Sequence, residues 1–211
     1  GCFAALRRRA LVGDALAHSS LPGLCLASLV VGEKNFPAML LGAFMAGLLG
    51  ISVLACLRRW TRIKEDAGIA IILSGFFGLG VVLRSVIQQM PASGRAGLDA
   101  FIFGPSAGIV RGDVYWIAAL SLATMLVVVA CYKEFRLVAF DPEFALAQGW
   151  PARRLDFALM LLLLAAVVVG LPAVGILLVA ALLILPAAAA RFWTDRLGTL
   201  LMVSALVGME G

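Results

Sequence analysis

The sequence predicts an all-α protein, a polytopic bundle of transmembrane helices. Three observations carry that prediction. The 211 residues are 63% hydrophobic and 14% charged, with mean hydropathy +1.07, whereas soluble domains carry roughly 25% charged residues. The apolar residues fall in runs of about 20, the length that crosses a ~30 Å hydrocarbon core as a helix. The basic residues cluster between those runs rather than along them.

The runs come in order. Residues 11–31 form the first, interrupted by "GDALAHSSLPG", and residues 36–57 form a clean second. Residues 67–90 form a third, with Arg84 near one end, and residues 114–132 a fourth. Residues 157–190 hold no charge. At ~1.5 Å per residue that stretch would reach ~51 Å, too long for one crossing. "GLPAVG" at 170–175 offers a Pro/Gly turn, so the stretch reads as a tight pair of short helices. A seventh run begins near 197 and reads as cut off. The chain begins at Gly1 and reads as a fragment with both ends missing, with about six complete spans and one truncated.

Alternating these spans sets the orientation. Arg7, Arg8 and Arg9; Arg58, Arg59, Arg62 and Lys64; Lys133, Arg136, Arg153 and Arg154; and Arg191 and Arg196 then fall on one side, 13 of the 17 basic residues. The positive-inside rule places that side in the cytoplasm. This topology signal accounts for the net charge of +5, which would otherwise invite a nucleic-acid reading. Cys2, Cys25, Cys56 and Cys131 form no C-x-x-C pair, and read as small buried hydrophobes.

Two loops are long. The outer one, about 91–113, has an apolar "FIFG" core that suits the membrane interface. The cytoplasmic one, 133–156, contains "FDPEFALAQGWP". Asp141 as cap, Pro142 at the first helical position and Glu143 in the first turn predict a short helix over 142–148. Gly149 and Pro151 stop it, and Phe140, Phe144 and Leu146 provide apolar surface.

Within the membrane, ionisable groups are costly, about 2.5–3.5 kcal/mol for an Asp at the bilayer centre on insertion scales. Asp14 and His18, the chain's single histidine, stand four residues apart and so share a helix face. A carboxylate and an imidazole one turn apart suit Mn²⁺, Fe²⁺ or Zn²⁺ better than a soft ion. Ser19, Ser20 and Pro22 would loosen the helix just after them and free carbonyls. On spacing alone, two other readings stay open: Asp14 caps a helix start with His18 as a packed neutral side chain, or the pair serves proton relay or catalysis. Arg84 reads as snorkelling to the headgroups, or as pairing with Asp99 or Asp113.

Four blocks resemble the membrane permease subunits of ATP-binding-cassette (ABC) importers for zinc, manganese and iron. They are "LRRRALVGDALAHSSLPG", "RIKEDAGIAIILSGFFGLG", "FDPEFALAQGWP" and "VGILLVAALLILPAAAAR", and they stand in the family's order. The resemblance implies one transmembrane permease domain over 1–211, with 133–156 as a cytoplasmic coupling loop. It implies a multi-pass protein of the bacterial plasma membrane, working as a homodimer. The partners it implies are a cytoplasmic ABC ATPase subunit and an extracytoplasmic metal-binding protein. Asp14 and His18 correspond to the family's metal-handling pair, and Asp141, Glu143 and Gly149 fall in its ATPase-coupling segment.

The expected function is therefore permeation of a divalent transition metal, carried as cargo with no permanently bound cofactor. ATP hydrolysis is expected on the partner, since the chain has no G-x-x-x-x-G-K-[ST] loop and is not itself an enzyme. Two alternatives stay in view: an ABC permease for a metal chelate or cobalamin-like cargo, and an intramembrane enzyme using His18.

Overall fold

The computed structural model describes residue 2 and residues 10–31, 35–89, 111–140, 142–194 and 197–210. In order, its helices are α1 (Ala10–Ser19), α2 (Leu21–Val31), α3 (Phe36–Trp60), α4 (Glu65–Gln88), α5 (Arg111–Ala130), α6 (Tyr132–Phe140), α7 (Pro142–Ala147), α8 (Ala152–Arg191) and α9 (Leu197–Glu210). The outer-loop residues 90–110, with the "FIFG" core and Asp99, lie outside the described residues.

Among the described residues, five segments are long and apolar enough to cross a membrane: Leu11–Val31, Phe36–Trp60, Asp66–Gln88, Gly112–Ala130 and Arg154–Ile176. α1 and α2 act as one crossing because the break at Ser20 is a single residue. The Ser20 N–H still donates to the Leu16 carbonyl (3.1 Å), and the Leu24 N–H to the Ser20 carbonyl (3.1 Å). α3 starts where the Asn35 side chain accepts from the Ala38 N–H (3.4 Å) with Pro37 in the first turn, and ends on Arg58 and Arg59. Cations there complement the carbonyl end of the helix dipole.

The 157–190 stretch does double back, but its turn is narrower than "GLPAVG" suggests. Pro172 stays helical, and the reversal is confined to Gly175, at φ 82° and ψ 168°. That region is essentially open to glycine alone. In a straight helix Gly170 and Val179 would lie ~13.5 Å apart along the axis. A Cβ on Gly170 would instead lie 2.9 Å from the Val179 side chain. The two halves are unequal. Arg154–Ile176 is of crossing length, whereas Leu178–Arg191 is a shorter apolar helix, only ~21 Å long at 1.5 Å per residue.

Neighbouring side chains fix the packing. α1–α2 runs antiparallel to α3: Ser19 abuts Gly50, Gly23 abuts Ala46 and Gly42, and Ala27 abuts Gly42. It runs parallel to α4, with His18 on Phe77 and Leu21 and Pro22 on Gly80. The Cys25 thiol continues that register, lying 3.8 Å from the Gly80 carbonyl. From α8, Leu183 covers Gly13. α1–α2 is consequently the most buried of the five spans, whereas α5 has no buried stretch.

The crossing with α3 rests on two matched stripes of small residues, Ser19-Gly23-Ala27 and Gly42-Ala46-Gly50, each spaced by four. Small residues let helix backbones approach closely where lipid removes any hydrophobic drive to associate. The approach is closest at Gly23, where a Cβ would fall on the Gly42 carbonyl oxygen. Two smaller clusters complete the fold. Val138, Ala145 and Ala152 tie α6, α7 and the start of α8 together. Cys2, Ala187, Ala190 and Leu200 join the end of α8 to α9.

Candidate metal-handling site

Asp14 is the fifth residue of α1, which already runs from Ala10. The reading in which Asp14 caps a helix start is thereby overturned. His18 follows one turn later, and its Nε2 lies 3.5 Å from Asp14 Oδ1. The two side chains are neither sealed nor free, at 38% exposed for Asp14 and 18% for His18. That exposure leaves part of each side chain accessible from outside the packed helices.

The pair has the reach to hold one cation. Two ligand bonds of ~2.1 Å whose outer atoms stand 3.5 Å apart would meet at about 110°. Among the described residues no third His, Cys, Asp or Glu joins them. The pair thus supplies two ligands where a structural zinc centre uses four.

The helix break beside the pair has a definite cause. Ser19 and Ser20 both turn their hydroxyls back onto the Leu16 carbonyl, at 3.0 and 2.9 Å. Both are fully buried. Their hydroxyls are thus engaged within α1 rather than with His18, which weighs against a serine–histidine catalytic arrangement. Pro22 has no N–H to give the His18 carbonyl four residues earlier, so the regular ladder stops there.

The imidazole is held from α4. The Phe77 ring meets it edge-on, centroids 5.0 Å apart and planes at 84°. The other ring nitrogen, Nδ1, is buried and has no hydrogen-bond partner among the described residues. Sequence reasoning missed Phe77. "SGFFGLG" offers two adjacent phenylalanines, and only packing distinguishes Phe77, on His18, from Phe76, against the core. The small stripes were also missed, although their four-residue spacing was readable.

The residues of the coupling segment lie elsewhere. α7 spans Pro142–Ala147, close to the helix expected over 142–148. Asp141 lies outside the described residues; Glu143 is in the first turn of α7. Gly149 ends the helix at φ 82°. Its N–H donates to the Leu146 carbonyl and the Trp150 N–H to the Ala145 carbonyl, both at 3.0 Å. This is a Schellman cap, which favours glycine at that position. Ala145 points into the small cluster, whereas Phe144, Leu146 and Trp150 are exposed.

A bundle of apolar helices of crossing length, with a carboxylate and an imidazole one turn apart in its most buried span, is the architecture of a polytopic membrane protein with a polar site inside it. The chain belongs to the ABC 3 transport family, whose model matches residues 1–211. It is a multi-pass protein of the bacterial plasma membrane. It is 46% identical over 208 residues to the manganese transport system membrane protein MntC of Bacillus subtilis, covering 99% of this chain and 48% of that protein. It is 42% identical to the zinc transport system membrane protein TroC of Treponema pallidum, covering 99% and 70%. The chain thus spans about half the length of the first relative. Among solved structures it is similar to PsaBC from Streptococcus pneumoniae in complex with Fab, with TM-score 0.82 and 31% identity, covering 99% of this chain and 72% of that one.

Proposed function

We propose that this chain is the permease subunit of an ABC importer that moves a divalent transition metal, manganese, zinc or iron, across the plasma membrane. The observation that carries the reading is the Asp14–His18 pair, 3.5 Å apart and half-open within the most buried span. The MntC and TroC likenesses, one to a manganese and one to a zinc system, support this class of cargo. One carboxylate and one imidazole accept all three ions. A chelate or cobalamin-like cargo would have no use for two ligand atoms one turn apart.

The same reading has the protein work as a homodimer, with ATP hydrolysed by a cytoplasmic ABC ATPase subunit and the ion delivered by an extracytoplasmic metal-binding protein. The excess of Lys and Arg at alternate span ends supports a cytoplasmic position for α6 and α7. The exposed Phe144 and Leu146 on α7, braced by the Val138–Ala145–Ala152 cluster, suit docking against the ATPase. In that role Asp141 and Glu143 shape the start of the coupling helix and Gly149 its end.

The test uses the whole permease expressed with its ATPase. Asp14→Ala should lower manganese or zinc accumulation at least tenfold under limiting metal, with the complex still assembled. Wild-type accumulation of both metals would sink the site assignment. In the same cells Glu143→Ala should weaken ATPase co-purification or uncouple hydrolysis from uptake. If both remain normal, α7 has no coupling role.

A further inference from the structure

The imidazole of His18 lacks the usual means of being aimed. A metal-ligating histidine generally gives its second ring nitrogen to a carboxylate, carbonyl or water, which sets the ring's orientation. Here Nδ1 is buried without a hydrogen-bond partner among the described residues. Among the described residues, two specific interactions bear on the ring. One is Asp14, which an arriving cation would itself engage. The other is Phe77, edge-on at 5.0 Å.

Phe77 adds little to the packed core. It is 42% exposed, and two of its neighbours on α4, Gly75 and Gly78, have nothing within 4 Å of where a side chain would begin. The adjacent Phe76 is the one packed against the core. An exposed aromatic ring on an open helix face contributes little to burial, yet this one touches the candidate metal ligand.

We infer that Phe77 is a positioning residue for metal capture: its ring holds the His18 imidazole with Nε2 turned to Asp14 and open to the incoming ion. The inference rests on the metal-permease reading of Asp14 and His18. A perpendicular aromatic pair restricts ring rotation without donating or accepting a strong hydrogen bond. It therefore aims the ligand without competing with the ion for it. Its effect is expected on affinity rather than on the rate of the transport cycle.

The experiment measures Mn²⁺ and Zn²⁺ binding and uptake by the full-length permease in complex with its ATPase, comparing wild type with Phe77→Leu, Phe77→Tyr, Phe76→Leu and His18→Ala. Phe77→Leu should raise the half-saturating concentration of metal about two- to tenfold, the range an aromatic pair supplies, with maximal uptake and membrane abundance unchanged. Phe77→Tyr, which keeps the ring, should restore wild-type affinity. Phe76→Leu should lower thermal stability and leave affinity alone. Wild-type affinity in Phe77→Leu, or a Phe77→Tyr protein as impaired as Phe77→Leu, overturns the inference. His18→Ala separates the two levels. If it abolishes binding while Phe77→Leu changes nothing, only the positioning role fails. If neither matters, the site itself is wrong.

Discussion

The first span and the fifth helix make an instructive pair. Both are apolar segments of crossing length, yet α1–α2 is the most buried span and α5 has no buried stretch. The buried one is the less apolar. It contains Asp14, His18, Ser19, Ser20 and Gly23, whereas α5 presents Val114, Trp116, Leu122, Met125 and Val129 outward. In water the most apolar helix is driven inside. In a bilayer the tails are as apolar as leucine, so that drive vanishes and close packing of small residues takes over. Polar and small residues therefore mark the interior helix, and bulky apolar ones the helix left on the outside of this bundle.

That contrast can be broken by exchange. The largest effect is expected from Gly23→Leu, because its side chain would meet the Gly42 backbone, which cannot yield. A loss of about 3 kcal/mol or more is expected from such overpacking, read as collapse of the monodisperse peak of detergent-solubilised permease. Ala119→Leu on the exposed α5 should leave the peak unchanged.

A charge exchange comes next. Leu122→Asp, on the exposed surface of α5, should cost about 2.5–3.5 kcal/mol in insertion, visible as reduced membrane abundance. Asp14→Leu should keep or raise abundance while removing uptake. If Asp14→Leu lowers abundance instead, Asp14 is structural rather than functional.

The smallest effect is expected from the hydroxyls. Ser19→Ala removes one of two hydroxyl bonds to Leu16 in a fully buried site. It should cost about 0.5–1.5 kcal/mol in thermal stability, the net worth of one intramolecular hydrogen bond, because the site is buried. Thr124→Val removes a hydroxyl that serves only the Leu120 and Ser121 carbonyls of its own helix. It should show no measurable change. Equal losses at both positions would mean that burial does not distinguish these two helices.

Much of this molecule is legible in local pattern. Hydropathy runs place the spans because a helix must satisfy its own backbone in lipid. Pro142 and Gly149 bracket α7 because their backbone preferences are local. The i, i+4 spacing puts Asp14 and His18 on one face because a helix has 3.6 residues per turn. Gly175 was foreseen as part of a turn, though the single pivot was not. Pro172 two residues earlier suggested a wider break, yet it remains in the helix.

Only the tertiary structure decided which span lies inside, and which of two adjacent phenylalanines meets His18. Hydropathy is a property of one helix against lipid. Burial depends on which helices can approach one another closely, as at Gly23 against Gly42. The rotation of α4 that presents Phe77 to the imidazole, and Phe76 to the core, follows from that packing. Sequence by itself thus determined the membrane class, the span pattern and the one-turn spacing of Asp14 and His18. The aromatic neighbour of His18, and the buried setting of the pair, came from helix packing, because contacts between residues about 60 positions apart carry no local signal.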